Sequence, residues 1–284
     1  MRPATARPTR KIALVLLLAL GAVAITTGAA LLGGWYDVAA TSSHTRPVYR
    51  LLETAMRYSV QARARDIPVP PLDDATLLAR GAACYREHCL QCHGGPGVAP
   101  GPIGLSLQPL PGPLVDAARR WRPRELYWIT RHGIKMSGMP AWQYRMDERE
   151  LWSVVAFLNA LPGLSPADYA GTMTSAAAQQ CPAPQAAAPA HADTRADAAV
   201  LFRQYACIGC HAIPGVVGPD TQVGPPLDGL AQRSLLAGRL PNTTENLAQW
   251  IRFPRRIDPQ TAMPELGVSE AHAQQMAAYL QRLK

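Results

Sequence analysis

Two short segments of this chain carry the same arrangement of two thiols and one imidazole. They are Cys89-Leu90-Gln91-Cys92-His93 and Cys207-Ile208-Gly209-Cys210-His211. Two thiols separated by two residues can each form a thioether to one side of a porphyrin, and the adjacent histidine then binds the iron. The spacing therefore predicts two covalently attached haem c groups, with His93 and His211 as axial iron ligands.

The second axial ligand decides what each haem can do. A haem with an open sixth position binds oxygen or peroxide, whereas a haem with both positions filled mainly transfers electrons. Met139 and Met263 each stand before a proline downstream of one motif, and a thioether ligand favours ferrous iron. We predict Met139 and Met263 as the sixth ligands. Met136 is the alternative at the first site, and His132 would make that haem bis-histidine.

Apolar periodicity predicts the helices that must position these residues. In the first region, Asp73 and Asp74 cap a helix that runs toward Cys89, and residues 151–161 form a later helix. The second region repeats this order, with predicted helices over 196–205, 245–252 and 270–283. The predicted fold class is all-α, with two tandem domains of the same kind.

The N-terminal part predicts a membrane anchor. Residues 12–36 contain no charged side chain, and about 20 apolar residues suffice to span a bilayer. A long secretory signal cut near Val38-Ala39-Ala40 is the alternative, although the apolar core of such signals is shorter, about 7–15 residues. The basic residues of 1–11 favour a cytoplasmic location for this tip, and they supply half of the formal net charge of +8. The rest of the chain would then lie on the periplasmic side of a bacterial inner membrane.

The predicted organisation has six parts. They are a cytoplasmic tip (1–11), a transmembrane anchor (12–36), a juxtamembrane segment (37–72), a first domain (73–165), a linker rich in alanine and proline (166–192) and a second domain (193–284). The juxtamembrane segment contains an amphipathic helix, which lies either on the membrane or a partner, or on the first domain. Ionised haem propionates would offset most of the remaining positive charge, so a nucleic-acid partner is not expected.

Two cysteines lie outside the haem motifs. Cys84 precedes the first motif and Cys181 lies in the linker segment. An even number of spare cysteines in an oxidising compartment favours a disulfide. We predict a Cys84–Cys181 bond, and two unpaired thiols are the alternative.

The chain resembles the class I cytochrome c family twice, over residues 73–164 and 193–284. In the second domain the resemblance is carried by Gly224-Pro225-Pro226-Leu227 and by the run from Leu247 to Met263. In the first domain it is carried by Gly81-x-x-x-Tyr85 and by Met-Pro-Ala-Trp at Met139. The resemblance implies that the Pro225 carbonyl accepts the Nδ1 proton of His211.

The resemblance also implies how the helices pack. The first and last helices of each domain would cross, with Gly81 and Tyr85 on the helix of Trp152 and Phe157. In the second domain, Phe202 would pack on the helix that carries Tyr279.

A membrane anchor followed by two such domains is similar to the membrane-anchored dihaem cytochromes c. This similarity implies one-electron transfer, with a haem–copper terminal oxidase or another respiratory complex as the redox partner. A cytochrome subunit of a periplasmic dehydrogenase and a dihaem peroxidase are the alternatives. No acid–base constellation stands out near either motif, so we predict no catalytic residue.

Overall fold

The computed structural model describes residues 7–177, 180–182, 194–219 and 223–283. The described residues are mostly helical, as the sequence predicts. The α-helices, in chain order, are α1 (Arg7–Leu32), α2 (Arg46–Ala64), α3 (Ala75–Cys84), α4 (Leu90–His93), α5 (Pro102–Leu105), α6 (Ala117–Arg120), α7 (Pro123–His132), α8 (Glu148–Ala160), α9 (Pro166–Ala177), α10 (Thr194–Gln204), α11 (Thr244–Arg252), α12 (Pro254–Ile257) and α13 (Glu270–Leu280).

Short irregular elements connect these helices. A π-helical turn, Tyr85–Cys89, joins α3 to α4. Tighter 3₁₀ turns cover Trp142–Tyr144, Leu161–Gly163, Cys207–Gly209 and Leu230–Gln232. An antiparallel hairpin of β1 (Leu235–Leu236) and β2 (Leu240–Pro241) is the feature that the all-α prediction omits. The chain divides into two compact units, residues 1–185 and 186–284.

Helix α1 is long and apolar, as the predicted anchor requires, but it ends at Leu32 and not at residue 36. Among the described residues, Lys11–Leu32 is the one helical segment long and apolar enough to cross a membrane. The predicted span to residue 36 was too long, because the helix stops before Gly33 and Gly34. Gly34 has φ +68°, a backbone conformation that ends helices. The exposed Trp35 that follows is a residue type enriched at membrane interfaces.

The juxtamembrane helix α2 packs on the first domain, within the first unit. Its Val60 and Ala64 are fully buried, and α2 contacts α7. The guanidinium of Arg57 lies 4.7 Å from the centre of the Trp121 ring, which is a cation–π contact. Of the two alternatives for this helix, packing on the first domain is therefore confirmed for the Val60 side.

The core of the first unit forms where α3 crosses α8. Gly81 lies against the backbone of Ser153, and a side chain at position 81 would overlap the Ser153 carbonyl. One turn later the rings of Tyr85 and Phe157 lie 5.3 Å apart. The crossing of the first and last helices that the resemblance implies is thus present, and a glycine permits its close approach.

The linker prediction was wrong for residues 166–177, which form α9. Tyr169 and Ala176 of this helix are buried in the core of the first unit, and Met173 packs beside them. These residues follow the i, i+4, i+7 spacing of one helical face, a signal that the alanine-rich composition hides. Residues 178–179 and 183–192 of the predicted linker lie outside the described residues.

The predicted disulfide is confirmed. Cys84 and Cys181 are bonded, with their Cα atoms 4.5 Å apart. The backbone N–H of Cys181 also donates to Oε2 of Glu87, at 3.1 Å. The predicted linker is therefore fixed at Cys181 to the helix and turn that precede the first motif.

The second unit repeats the crossing with α10 and α13. The rings of Phe202 and Tyr279 lie 5.4 Å apart, as the resemblance implies. The position that corresponds to Gly81 is Ala198, which is fully buried. Helices α11 and α13 begin at the side-chain caps Thr243 and Ser269, which accept backbone N–H groups of the first turn.

Candidate haem sites

The first motif lies on a rigid helical support. Asp74 caps α3 by accepting the Leu77 N–H at 2.8 Å, and this bond lowers the pKa of its carboxyl. The helix continues through the π-turn into Cys89, whose side chain is buried. Burial raises the pKa of the Cys89 thiol to about 12. Cys89 and Cys92 therefore follow directly from a helix that is capped at its start and packed along its length.

His93 has the tautomer that an iron ligand requires. Its Nδ1 lies 2.8 Å from the carbonyl oxygen of Gly112, so Nδ1 carries the proton and donates it. The lone pair of Nε2 is then left for a metal. Burial lowers the pKa of His93, and the bond to Gly112 opposes this effect. A neutral imidazole is the form that binds iron.

His211 of the second motif has the same arrangement. Its Nδ1 lies 2.7 Å from the carbonyl oxygen of Pro225, the bond that the resemblance implies. Gly224 lies directly against the imidazole, since a Cβ there would be 2.6 Å from Cε1 of His211. The ring thus rests on a glycine backbone and is oriented by the next carbonyl.

Sequence reasoning missed the acceptor in the first domain. It found Pro225 because Gly224-Pro225 looks like the family motif, but it named no partner for His93. A usable signal was present, because Gly112 and Pro225 are each followed by Pro-Leu. Leu114 and Leu227 of these dipeptides pack against the cores of their units, which explains why both loops approach the histidine at this point.

The two predicted methionines share a local geometry. The N–H of Met139 donates to Oγ of Ser137 at 3.1 Å, and the N–H of Met263 donates to Oγ1 of Thr261 at 3.2 Å. Both methionines are half-buried. A hydroxyl residue two positions before a Met-Pro pair is thus a repeated feature, and sequence reasoning named neither Ser137 nor Thr261 in this role.

The structure distinguishes Met139 from Met136. Met139 packs against the core of the first unit. Met136 is 89% exposed, and its φ of +59° is rare for a residue with a side chain. The Met139 backbone is also held, because its carbonyl accepts the Ile134 N–H at 3.2 Å.

The residues present fit covalent haem. All four motif cysteines are unbonded to one another, whereas the two spare cysteines form the disulfide. A cavity of about 450 Å³ adjoins His211. Apolar side chains, among them Ile208, Ile213 and Val216, line it together with Asp228, whereas Cys207, Cys210 and Met263 do not.

The spare histidines have partners of their own. The His132 ring lies 5.0 Å from the Trp128 ring, and the His88 ring lies 5.0 Å from the Trp142 ring. Burial lowers the pKa of both His88 and His132. His272 and His44 lie within hydrogen-bond distance of tyrosine hydroxyls, and His191 lies outside the described residues.

Both units match known cytochrome families. Residues 76–158 match the family described as "Cytochrome C oxidase, cbb3-type, subunit III", and residues 196–284 match the cytochrome c family. A protein named "Cytochrome c oxidase subunit 2" from Alkalihalophilus pseudofirmus is 38% identical over 85 residues, which are 30% of this chain. The chain covers 24% of that relative's length.

The predicted resemblance to cytochromes c is therefore confirmed, and the chain carries two cytochrome c domains. Such domains bind haem c covalently and transfer electrons. Two domains of this haem-binding class thus follow one apolar N-terminal helix suited to a membrane.

Proposed function

We propose that this protein is a membrane-anchored dihaem cytochrome c. It carries single electrons in a periplasmic respiratory chain, to or within a haem–copper terminal oxidase. One observation carries the proposal: in both domains the motif histidine donates its Nδ1 proton to a backbone carbonyl. Each domain therefore presents one oriented imidazole, with its Nε2 facing away from the carbonyl bond, in a motif whose two cysteines are unbonded.

The proposed ligand sets follow from these placements. The first haem would be attached at Cys89 and Cys92, with His93 and Met139 as axial ligands. The second would be attached at Cys207 and Cys210, with His211 and Met263 as axial ligands and Pro225 as the acceptor behind His211. Support for the methionines comes from their shared hydroxyl contacts and from the exposure of Met136.

When bound, haem supplies a one-electron ferrous–ferric couple. The protein's own residues orient that group and limit its reactivity. The bonds to Gly112 and Pro225 fix the histidine rings, and such bonds also raise ligand basicity. The half-buried methionines would close the sixth positions, which favours electron transfer over oxygen or peroxide chemistry.

The anchor and the compartment are part of the same proposal. Helix α1 would hold the domains at the bacterial inner membrane, with the basic tip (1–11) in the cytoplasm. The Cys84–Cys181 disulfide supports a periplasmic location, because disulfides persist in that compartment. An oxidase partner is supported by the family matched over residues 76–158 and by the oxidase subunit that is similar to this chain.

The test uses the full-length protein in nanodiscs. We expect two haems per chain by the pyridine haemochrome assay and two one-electron waves in a redox titration. The Met139→Leu variant should lose about half of the near-infrared Met–iron absorbance, and Met136→Leu should keep all of it. A single haem per chain, or loss of the band in Met136→Leu alone, would overturn the proposed sites.

The oxidase assignment has a separate test. The wild-type protein in membranes with a haem–copper oxidase should support oxygen uptake from an artificial reductant, and Met139→His should slow it by lowering one potential. Turnover of hydrogen peroxide by the isolated protein would instead identify a peroxidase.

A further inference from the structure

Helix α9 packs beside the first haem motif, outside residues 76–158 that match the family model. The side chains on its inner face are buried, with Tyr169 1% and Ala176 3% exposed. We call α9 together with Cys181 the clamp. It has two anchors on the segment that carries the first motif, one made by a ring and one made by a covalent bond.

The first anchor is the Tyr169 ring on Gly95. A Cβ at Gly95 would overlap the Tyr169 ring and hydroxyl, so the ring lies directly on the backbone of Gly95. Gly95 is the second residue after His93. The Tyr169 hydroxyl is buried and has no hydrogen-bond partner among the described atoms. An unpaired buried hydroxyl costs free energy. The packing of the Tyr169 ring on Gly95, and not its hydroxyl, therefore favours the buried position of this side chain.

A second tyrosine holds the neighbouring residue. The hydroxyl of Tyr85, which is fully buried, donates to the carbonyl of Gly94 at 2.7 Å. The two residues that follow His93 are therefore each fixed by a tyrosine. Tyr85 comes from α3 by a hydrogen bond, and Tyr169 comes from the clamp by packing.

The second anchor is the Cys84–Cys181 disulfide. Cys84 immediately precedes Tyr85 in the chain, and Glu87, two residues later, accepts the Cys181 N–H. The clamp is thus bonded to both sides of Tyr85. Any movement of the clamp away from the motif must stretch this attachment or break it.

We propose that the clamp is a positioning element for the first haem, with Tyr169 as its positioning residue. It fixes the loop after His93 and excludes water from that side of the site. Exclusion of water disfavours the extra charge of ferric iron and so raises the haem potential. The inference rests on the proposed function, because it assumes a haem held by His93.

The second domain serves as an internal control. In its described residues the loop after His211 is held by one tyrosine, since Tyr279 donates to the carbonyl of Pro214 at 2.6 Å. No disulfide involves this unit, because its two cysteines, Cys207 and Cys210, are unbonded. A change in the clamp should therefore affect one haem and leave the other unaltered.

Two variants of Tyr169 test the proposal in the full-length, haem-loaded protein. Tyr169→Ala should shift one midpoint potential downward and leave the other unchanged. Tyr169→Phe keeps the ring and should leave both potentials unchanged. Two haems per chain with both potentials unaltered in Tyr169→Ala would overturn the positioning role. A wild-type haem count other than two would instead contradict the proposed function.

A second measurement needs no variant. Amide hydrogen exchange of the wild-type holoprotein is compared before and after a phosphine reduces the disulfide, with complete reduction verified by alkylation and mass spectrometry. Exchange over residues 89–98 should become faster, and exchange over 207–216 should not change. Unchanged exchange over 89–98 after complete reduction would contradict the clamp.

Discussion

The two cytochrome c domains place the same pair of aromatic rings at the crossing of their first and last helices, but with the hydroxyl group exchanged. In the first domain the tyrosine, Tyr85, is on the first helix and faces Phe157. In the second domain the phenylalanine, Phe202, is on the first helix and faces Tyr279. Either way, the tyrosine hydroxyl donates to a carbonyl in the loop after the motif histidine. Both domains therefore have a tyrosine hydrogen bond to the loop after the motif histidine. The first helix supplies the tyrosine in one domain, and the last helix supplies it in the other.

The domains differ in how much else fixes that loop. The first domain adds the clamp and the disulfide, and its α3 approaches α8 so closely that Gly81 has no room for a side chain. The second domain has an alanine at the corresponding position and a loop fixed by Tyr279. We therefore expect the first site to be more rigid and the second to be more tolerant of substitution. The following variants test this difference.

The largest effect is expected from removing the disulfide. Cys84 and Cys181 are 97 residues apart, and a bond that closes so long a loop typically stabilises a fold by about 2–5 kcal/mol. The Cys84→Ser/Cys181→Ser variant should lower the unfolding temperature of the first domain. The second domain should unfold as in the wild type by calorimetry. An equal decrease of the unfolding temperature in both domains would contradict a disulfide that stabilises only the first domain.

The next effect concerns the glycines beside the two histidines. Gly224→Ala places a Cβ against the His211 ring, and overpacking of this kind costs about 1–3 kcal/mol. The comparison in the first domain is Gly112→Ala, at the residue whose carbonyl accepts from His93, where the new Cβ would meet no atom within 4 Å. We expect Gly224→Ala to perturb the second haem's spectrum and Gly112→Ala to leave the first haem's spectrum unaltered. The reverse pattern would show that Gly224 does not support the ring.

The helix crossings should respond differently to one methyl group. Gly81→Ala forces α3 away from Ser153 and should cost about 1–3 kcal/mol. Ala198→Gly, the matched change in the second domain, should cost about 1 kcal/mol through helix propensity and lost packing. Denaturant unfolding of each variant measures both values. A Gly81→Ala variant as stable as the wild type would remove the proposed difference in rigidity.

The two tyrosine hydroxyls offer a finer comparison. Tyr85→Phe leaves the Gly94 carbonyl without its donor inside the core, at a cost of about 1–3 kcal/mol. Tyr279→Phe should cost only about 0.5–1.5 kcal/mol, because Pro214 is exposed and water can replace the lost donor. Thermal unfolding measures the stability lost in each variant. A larger loss of stability in Tyr279→Phe than in Tyr85→Phe would contradict the expected order.

The smallest expected effect is a gain of stability, whereas the preceding variants lose stability. Ala206, directly before the second motif, has φ +54°, a conformation that glycine adopts without strain. Ala206→Gly should therefore stabilise the second domain by up to about 1 kcal/mol. Chemical denaturation monitored at the second haem checks this value. Destabilisation would show that the strain is offset by contacts of the Ala206 methyl group.

Much of the candidate sites could be predicted because their chemistry is local in the chain. Each haem motif is five consecutive residues, and each methionine is marked by an adjacent proline. The disulfide was predictable because Cys84 and Cys181 were the two cysteines left over. These inferences needed residue types and spacings, and no knowledge of long-range packing.

The parts that were missed depend on contacts between distant segments. The Gly112 carbonyl lies 19 residues further along the chain than His93 and contacts it from a loop whose Leu114 packs against the core. Helix α9 was assigned to the linker because its alanine-rich composition concealed a buried face around Tyr169. The role of Gly95 beside that ring could not be predicted without knowing that α9 folds back on the motif.

We propose that methionine closes the sixth position of both haem sites. The most direct test is an optical spectrum of the purified full-length protein, reduced under argon and then exposed to carbon monoxide. We expect no spectral change on exposure, together with the near-infrared Met–iron band in the oxidised protein. Binding of carbon monoxide at about half of the haem would contradict this proposal, because one site would then be open and suited to an enzyme.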